Sequence, residues 1–201
     1  MLTMRKGFSI SFADKLSEGY KTDGKFFTAN VSAQKTLPLL ENFIKLHENE
    51  RLFFILELPT PQTAEPKDKN GNIIAFHKDI YYLDDCTSAM IRDVLDIVGK
   101  ILLDDGISQF GVGSHITNDE MMICKYNIVN LYHNDEQSPL YDGFFEKHSI
   151  NKTDNLVTAL DMLSPATPGG CTRCEQDGRT VYDIPSVFAE LGMYMAKRCE
   201  E

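Results

Sequence analysis

The chain has 201 residues, 42% of them hydrophobic and 25% charged, with a net charge of −10. That length supports one domain whose core needs no staple, and the composition excludes disordered, collagen-like and fibrous chains. The longest apolar run, at residues 52–58, is far short of the ~20 residues of a membrane helix, and the N-terminal Met1 to Lys6 is not followed by the apolar run of a signal peptide.

The expectation is a cytoplasmic chain folded as one globular domain over residues 1–201. Phe8 to Phe12 alternates apolar and polar residues, the period of a half-buried strand, and a polar stretch from Ser17 to Gly24 precedes a short run at Lys25 to Val31. Thr36-Leu37-Pro38 reads as a helix start with Thr36 as N-cap, and Leu37, Leu40 and Ile44 carry an apolar stripe to about His47. Leu52 to Leu56 is near-continuously apolar, as in a central strand covered on both faces. Asn70-Gly71 marks a turn, after which Ile73 to Phe76 and Ile80 to Leu83 predict one interrupted strand or two short ones, antiparallel to Leu52–Leu58.

The strongest helical pattern runs from about Thr87 to Leu103, with Asp84 and Asp85 placed to cap it and Gly106 to stop it. Ile107 to Ser114 and Met121 to Tyr132 predict two strands of a hairpin turning through Thr117-Asn118-Asp119. A short helix is expected within residues 138–148, and Leu156 to Leu163 fits a strand or a helix. A loop spans Ser164 to Gly178, and Asp183 caps a final helix with Val187, Phe188, Leu191 and Met195 on its buried side. Hairpins mixed with separated helices make this an α+β chain, with helices packed on a mostly antiparallel sheet.

The charge is uneven. Residues 1–100 hold 13 Lys and Arg against 14 Asp and Glu, whereas residues 101–201 hold 7 against 16. Such a field disfavours nucleic acid and anionic membrane and favours basic proteins or cations. Five cysteines without a secretion signal fit reduced thiols, with Cys86 and Cys124 as small core residues. Cys171-Thr172-Arg173-Cys174 could supply two corners of a zinc site, but no second ligand pair follows, so no metal or other cofactor is expected. Phe110-Gly111-Val112-Gly113-Ser114 lacks the third glycine of a dinucleotide fingerprint, and its glycines fit close packing in a strand. Ser114 and His115 are adjacent on a strand and point to opposite faces, which does not suit a nucleophile and its base. No catalytic residue is identified.

The acidic pairs Asp84-Asp85, Asp104-Asp105, Asp119-Glu120 and Asp135-Glu136 all fall at predicted element ends, hence on the surface. Two carboxylates at a helix C-terminus oppose the dipole, so Asp104-Asp105 asks for a functional account. Asp119-Glu120 and Asp135-Glu136 bracket the predicted strand and are expected at opposite ends of it. Tyr132, Tyr141 and Asp142 lie in the same stretch, and tyrosine among carboxylates suits a protein-binding patch. Asp104, Asp105, Asp119, Glu120, Tyr132, Asp135, Glu136, Tyr141 and Asp142 are therefore the candidate partner-binding residues.

In general character, and along Asp104 to Glu146 with its Phe110-Gly111-Val112-Gly113-Ser114 and Lys125-Tyr126-Asn127 segments, the chain resembles the immunity proteins that bacteria make against polymorphic or contact-dependent toxins. The resemblance implies a non-enzymatic protein that occludes a basic toxin domain. The alternative is a metal-dependent enzyme, or a zinc-bearing interaction module built on Cys171 and Cys174.

Overall fold

The computed structural model describes residues 2–135 and 139–200. In chain order its elements are β1 (Phe8–Ser9), β2 (Gly19–Thr22), β3 (Phe26–Asn30), α1 (Ala33–Leu46), β4 (Leu52–Pro59), β5 (His77–Cys86), α2 (Ser88–Asp104), β6 (Gln109–Ser114), β7 (Glu120–Ile123), β8 (Ile128–Tyr132), α3 (Ala159–Met162), β9 (Gly170–Cys171), α4 (Ile184–Val187) and β10 (Tyr194–Glu200). The fold is α+β. An eight-stranded sheet in the order β10-β5-β4-β6-β7-β8-β3-β2 dominates it, and every pairing in it is antiparallel. The remaining strands, β1 and β9, pair in a small sheet of their own.

Helices α1 and α2 lie together on one face of the large sheet. Leu39, Leu40, Phe43 and Ile44 of α1 and Ile91, Val94, Val98 and Leu102 of α2 join Leu52, Phe54, Leu56, Phe110, Val112, Met121, Ile123, Val129 and Leu131 in one core. The strand residues in that list alternate along each strand, as the pleat requires. A second, smaller cluster gathers Leu2, Phe8, Phe12, Leu16, Tyr126 and Ala159 around the small sheet. No described helix is long and apolar enough to cross a membrane.

Several local expectations are corrected. The first helix begins four residues earlier than expected, with Ser32 as N-cap, and Thr36 is buried within it. The cap of α2 is Thr87, whose hydroxyl accepts from Met90 N at 3.2 Å; Asp84 and Asp85 instead end β5. Gly106 is not a left-handed helix stop. It is a close approach of two backbones, since a Cβ there would sit 2.0 Å from Gly7 O. The alternation at Phe8–Phe12 yields only the two-residue β1, while the polar stretch after it contains β2. The final helix is short, and of its expected stripe only Phe188 is buried in the core: Val187 and Leu191 are exposed and Met195 belongs to the edge strand β10.

The correction with most consequence concerns residues 121–132. They are not one strand. Tyr126 and Asn127 adopt left-handed backbone, with φ of 55° and 64°, and break the segment into β7 and β8. Asparagine is among the residues that most readily adopt this conformation, and here distant backbone holds it: Asn127 Nδ2 donates to Thr3 O at 2.9 Å and Val31 O at 2.7 Å. The result is a β6-β7-β8 meander.

Candidate functional site

The meander brings together what a single strand would have held apart. Glu120, which opens β7, is registered opposite Tyr132, which closes β8. Asn134 N donates to Asp119 Oδ1 at 3.0 Å, so the stretch leading to Asp135 returns to the start of β7. The two acidic pairs were expected at opposite ends of a strand. Asp119, Glu120 and Asp135 instead occupy the same end of the sheet, and Glu136 lies outside the described residues.

The same registers define a surface on the sheet face opposite α1 and α2. Directly paired residues point to one side, so Phe53, Gly113, Glu120, Tyr132 and Phe26 form a row across β4, β6, β7, β8 and β3. A second row runs Tyr194, Tyr82, Ile55, Gly111, Met122 and Asn130. Phe26, Tyr132 and Tyr194 are exposed at 40%, 37% and 49%, and Phe53, Tyr82, Met122 and Glu120 are half-buried. The sequence reading of β4 as covered on both faces is therefore corrected: helices cover one face, and aromatic side chains line the other.

The two glycines of β6 are the complement of this lining. A Cβ at Gly113 would lie 2.2 Å from Phe53 Cζ, and one at Gly111 would lie 2.5 Å from Met122 Sδ. Each glycine makes room for its neighbour's large side chain, the close packing expected of a glycine inside a strand. The Phe53 ring also packs against Tyr82 and His115, with centroids 5.5 and 4.8 Å away.

Carboxylates stand within and around this face. Asp84 accepts from Tyr194 Oη at 2.7 Å and lies 3.0 Å from His115 Nε2. Glu57 Oε2 accepts from Lys78 Nζ at 2.7 Å and from Gln109 Nε2 at 3.0 Å. Glu120 differs: among the described residues no hydrogen-bond donor or cation engages its carboxylate. Burial raises the Glu120 carboxyl above its ordinary value, and the Glu57 carboxylate adds to the shift. Burial raises the Tyr82 phenol too, helped by Glu120, Glu57 and Asp84, which marks the convergence of these acids on one spot.

The remaining candidates fall elsewhere. Asp104 and Asp105 lie at the other end of β6. Asp104 pairs with Lys6 at 2.9 Å and Lys100 at 2.8 Å. Asp105 was expected on the surface but is fully buried, its carboxylate accepting from Ile107 N, Ser108 N, Ser108 Oγ and Cys174 N at 2.7–2.9 Å. The helix end beside them is neutralised by Arg5, itself buried. Its guanidinium donates to the carbonyls of Leu102 at 2.7 Å, Leu103 at 2.9 Å, and Asp105 and Cys124 at 3.2 Å. Burial lowers the Arg5 pKa to about 10, opposed by the nearby carboxylates. The apparent conflict of two acids with the α2 dipole thus has a structural resolution.

Asp119 and Tyr141 are also buried, not surface groups. Tyr141 Oη donates to Asp119 Oδ2 at 2.9 Å and lies 2.7 Å from His47 Nε2, while His47 Nδ1 is 3.1 Å from Glu50 Oε2. Ser114 Oγ donates to the same Glu50 carboxylate. This chain of acid, imidazole and hydroxyl groups has the residue types of a catalytic site, but His47 and Ser114 are fully buried; it ties α1, the β6–β7 turn and residue 141 together. Ser114 faces Glu50 and His115 faces Asp84, on opposite sides of the sheet as expected. Asp135 and Asp142 are exposed.

Cys171 is exposed, with its Sγ 3.3 Å from Tyr126 Oη, and Cys174 is half-buried. Among the described residues no group of three or more His, Cys, Asp or Glu is arranged to hold a metal ion. A groove of about 320 Å³ lies on the helical side between α2 and residues 176–187. Its Thr180 and Asp183 satisfy each other, with Thr180 N donating to Asp183 Oδ2 at 2.7 Å.

Phe26, Phe53, Glu57, Tyr82, Met122 and Tyr194 were not singled out from the sequence, and Asp84 was read there as a helix cap. The available signal was the pair of strand glycines at 111 and 113, which implied large neighbours filling their places. Comparison with protein-family models, with curated proteins and with solved structures gave no match.

Proposed function

We propose that this chain is a non-enzymatic binding protein whose uncovered sheet face receives a basic protein partner, acting by occlusion as an immunity protein does on a toxin domain. The observation that carries the reading is the row Phe53-Gly113-Glu120-Tyr132-Phe26, an aromatic surface with a carboxylate at its centre and Asp84 and Asp135 at the same sheet end. Aromatic side chains contribute large contact area at low entropic cost and dominate interface energetics. Surrounding carboxylates accelerate encounter with a cationic surface and reject anionic ones. The net charge of −10 favours the same class of partner.

The test is affinity capture from the native host with wild-type protein and with Phe53→Ser/Tyr132→Ser, washed at low and high salt. The captured protein is then mapped onto the sheet by hydrogen exchange, and metal content is measured alongside. A basic partner, released by salt, lost in the double variant and protecting β4, β6, β7 and β8, is the expected outcome. A partner that protects α1 and α2, or a stoichiometric metal ion retained with hydrolytic activity, would overturn the reading.

A further inference from the structure

We propose that Glu120 seats one arginine side chain of the partner, its guanidinium paired with the carboxylate and flanked by the Phe53 and Tyr132 rings; this rests on the reading of the uncovered face as the interface. Tyr132 stands directly opposite Glu120 on β8. On the other side Gly113 has no side chain, and the Phe53 ring occupies the space above it. Glu120 therefore sits between two aromatic walls with Met122 next along its own strand face. A planar cation fits such a slot, because it can stack on the rings while donating two hydrogen bonds to the carboxylate.

The surroundings select against other ligands. A divalent cation needs several oxygen donors, but the nearby Glu57 is already committed to Lys78 and Gln109. Anions meet Glu120, Glu57 and Asp84 together. A lysine ammonium would satisfy the charge but neither the fork nor the stacking. Burial and Glu57 raise the Glu120 carboxyl, so an arriving guanidinium opposes that shift and expels the proton from any fraction of sites that holds one.

The experiment titrates protein carrying labelled glutamate, aspartate and tyrosine with capped Ala-Arg-Ala, Ala-Lys-Ala and Ala-citrulline-Ala peptides, followed by NMR. The arginine peptide is expected to shift the Glu120 carboxyl carbon and the Tyr132 ring saturably. Lysine should bind several-fold more weakly and citrulline not at all, and Glu120→Gln should lose about tenfold or more. Arginine binding should tighten as pH rises through the titration of Glu120. Non-saturable shifts spread over Asp84, Asp135 and Asp142, with Glu120 unmoved, would overturn the assignment.

The captured partner separates the two readings. If it still protects the sheet face but Glu120→Gln changes its affinity less than twofold, the arginine seat fails and the interface stands. If it docks elsewhere while the peptide still titrates Glu120, the interface reading fails and the cation site stands.

Discussion

Single side chains here divide between those that serve the fold and those that work against it. Arg5 serves it: one guanidinium satisfies four carbonyls at the end of α2 and in the turn after β7. An ammonium has three donors and no planar fork. Arg5→Lys should therefore cost about 2–4 kcal/mol of stability by urea denaturation, although it conserves charge. Glu120 works against the fold. Its carboxyl pKa is raised in the folded state, so the folded chain holds the proton more tightly than the unfolded one. Stability contributed by that proton is present at low pH and lost as pH rises from the unfolded value through the raised one. Glu120→Gln should thus raise the denaturation midpoint at pH 7 and leave it unchanged near pH 3. A lower midpoint at pH 7 would mean that the carboxylate has a structural partner.

At the scale of elements, the two long helices and β4 were legible because their apolar spacing is long enough to be unambiguous. The meander was not. Ile123, Ile128 and Val129 are apolar on either side of the break, and only left-handed backbone at Tyr126 and Asn127 separates β7 from β8. The amide contacts that make Asn127 suitable come from Thr3 and Val31, far away in sequence. The site was half legible for the same reason: Glu120, Tyr132 and Asp135 could be named, but their proximity depended on that turn. Asp105 and Asp119 looked like surface acids because their backbone and hydroxyl donors come from loops that local periodicity does not describe.

Strand β10 was hidden by exposure, since an edge strand with alternate residues in water lacks an apolar signature. Its attachment has a side-chain lock, the Arg198 guanidinium donating to Asp79 at 2.6 and 2.9 Å, with Thr60 Oγ1 adding a bond at 2.8 Å. Burial alone would raise the Asp79 carboxyl, but these bonds outweigh it and hold it below the ordinary value. Stability from a depressed carboxyl is complete above its unfolded pKa, and it is lost as pH falls through the folded value, below about pH 4. Amide exchange in β10 should accelerate in that range. Asp79→Asn should produce about a tenfold acceleration at neutral pH, a local change of ~1.4 kcal/mol. Unchanged β10 exchange in that variant would show that the backbone ladder alone holds the edge.

For the whole molecule, the sheet separates two tasks. One face and both long helices form the core, while the opposite face leaves Phe26, Tyr132 and Tyr194 exposed and, among the described residues, offers Glu120 no donor or cation. The docking of Arg5 also has a temporal meaning. Its carbonyl partners at 102, 103, 105 and 124 are about a hundred residues away along the chain, and its own amide bonds the side chain of Asn127. None of these acceptors is in position until α2 has ended and the meander has turned. Closing so large a loop is slow and is rewarded only when the acceptors already exist. The segment around Arg5 should therefore be a late fastener in refolding, setting after the sheet it secures. Pulsed hydrogen exchange should find the amides of Arg5 and of Thr172, which donates to Gly7 O at 2.8 Å, protected later than those of β6, β7 and β8. Simultaneous protection would instead make this segment part of the folding nucleus.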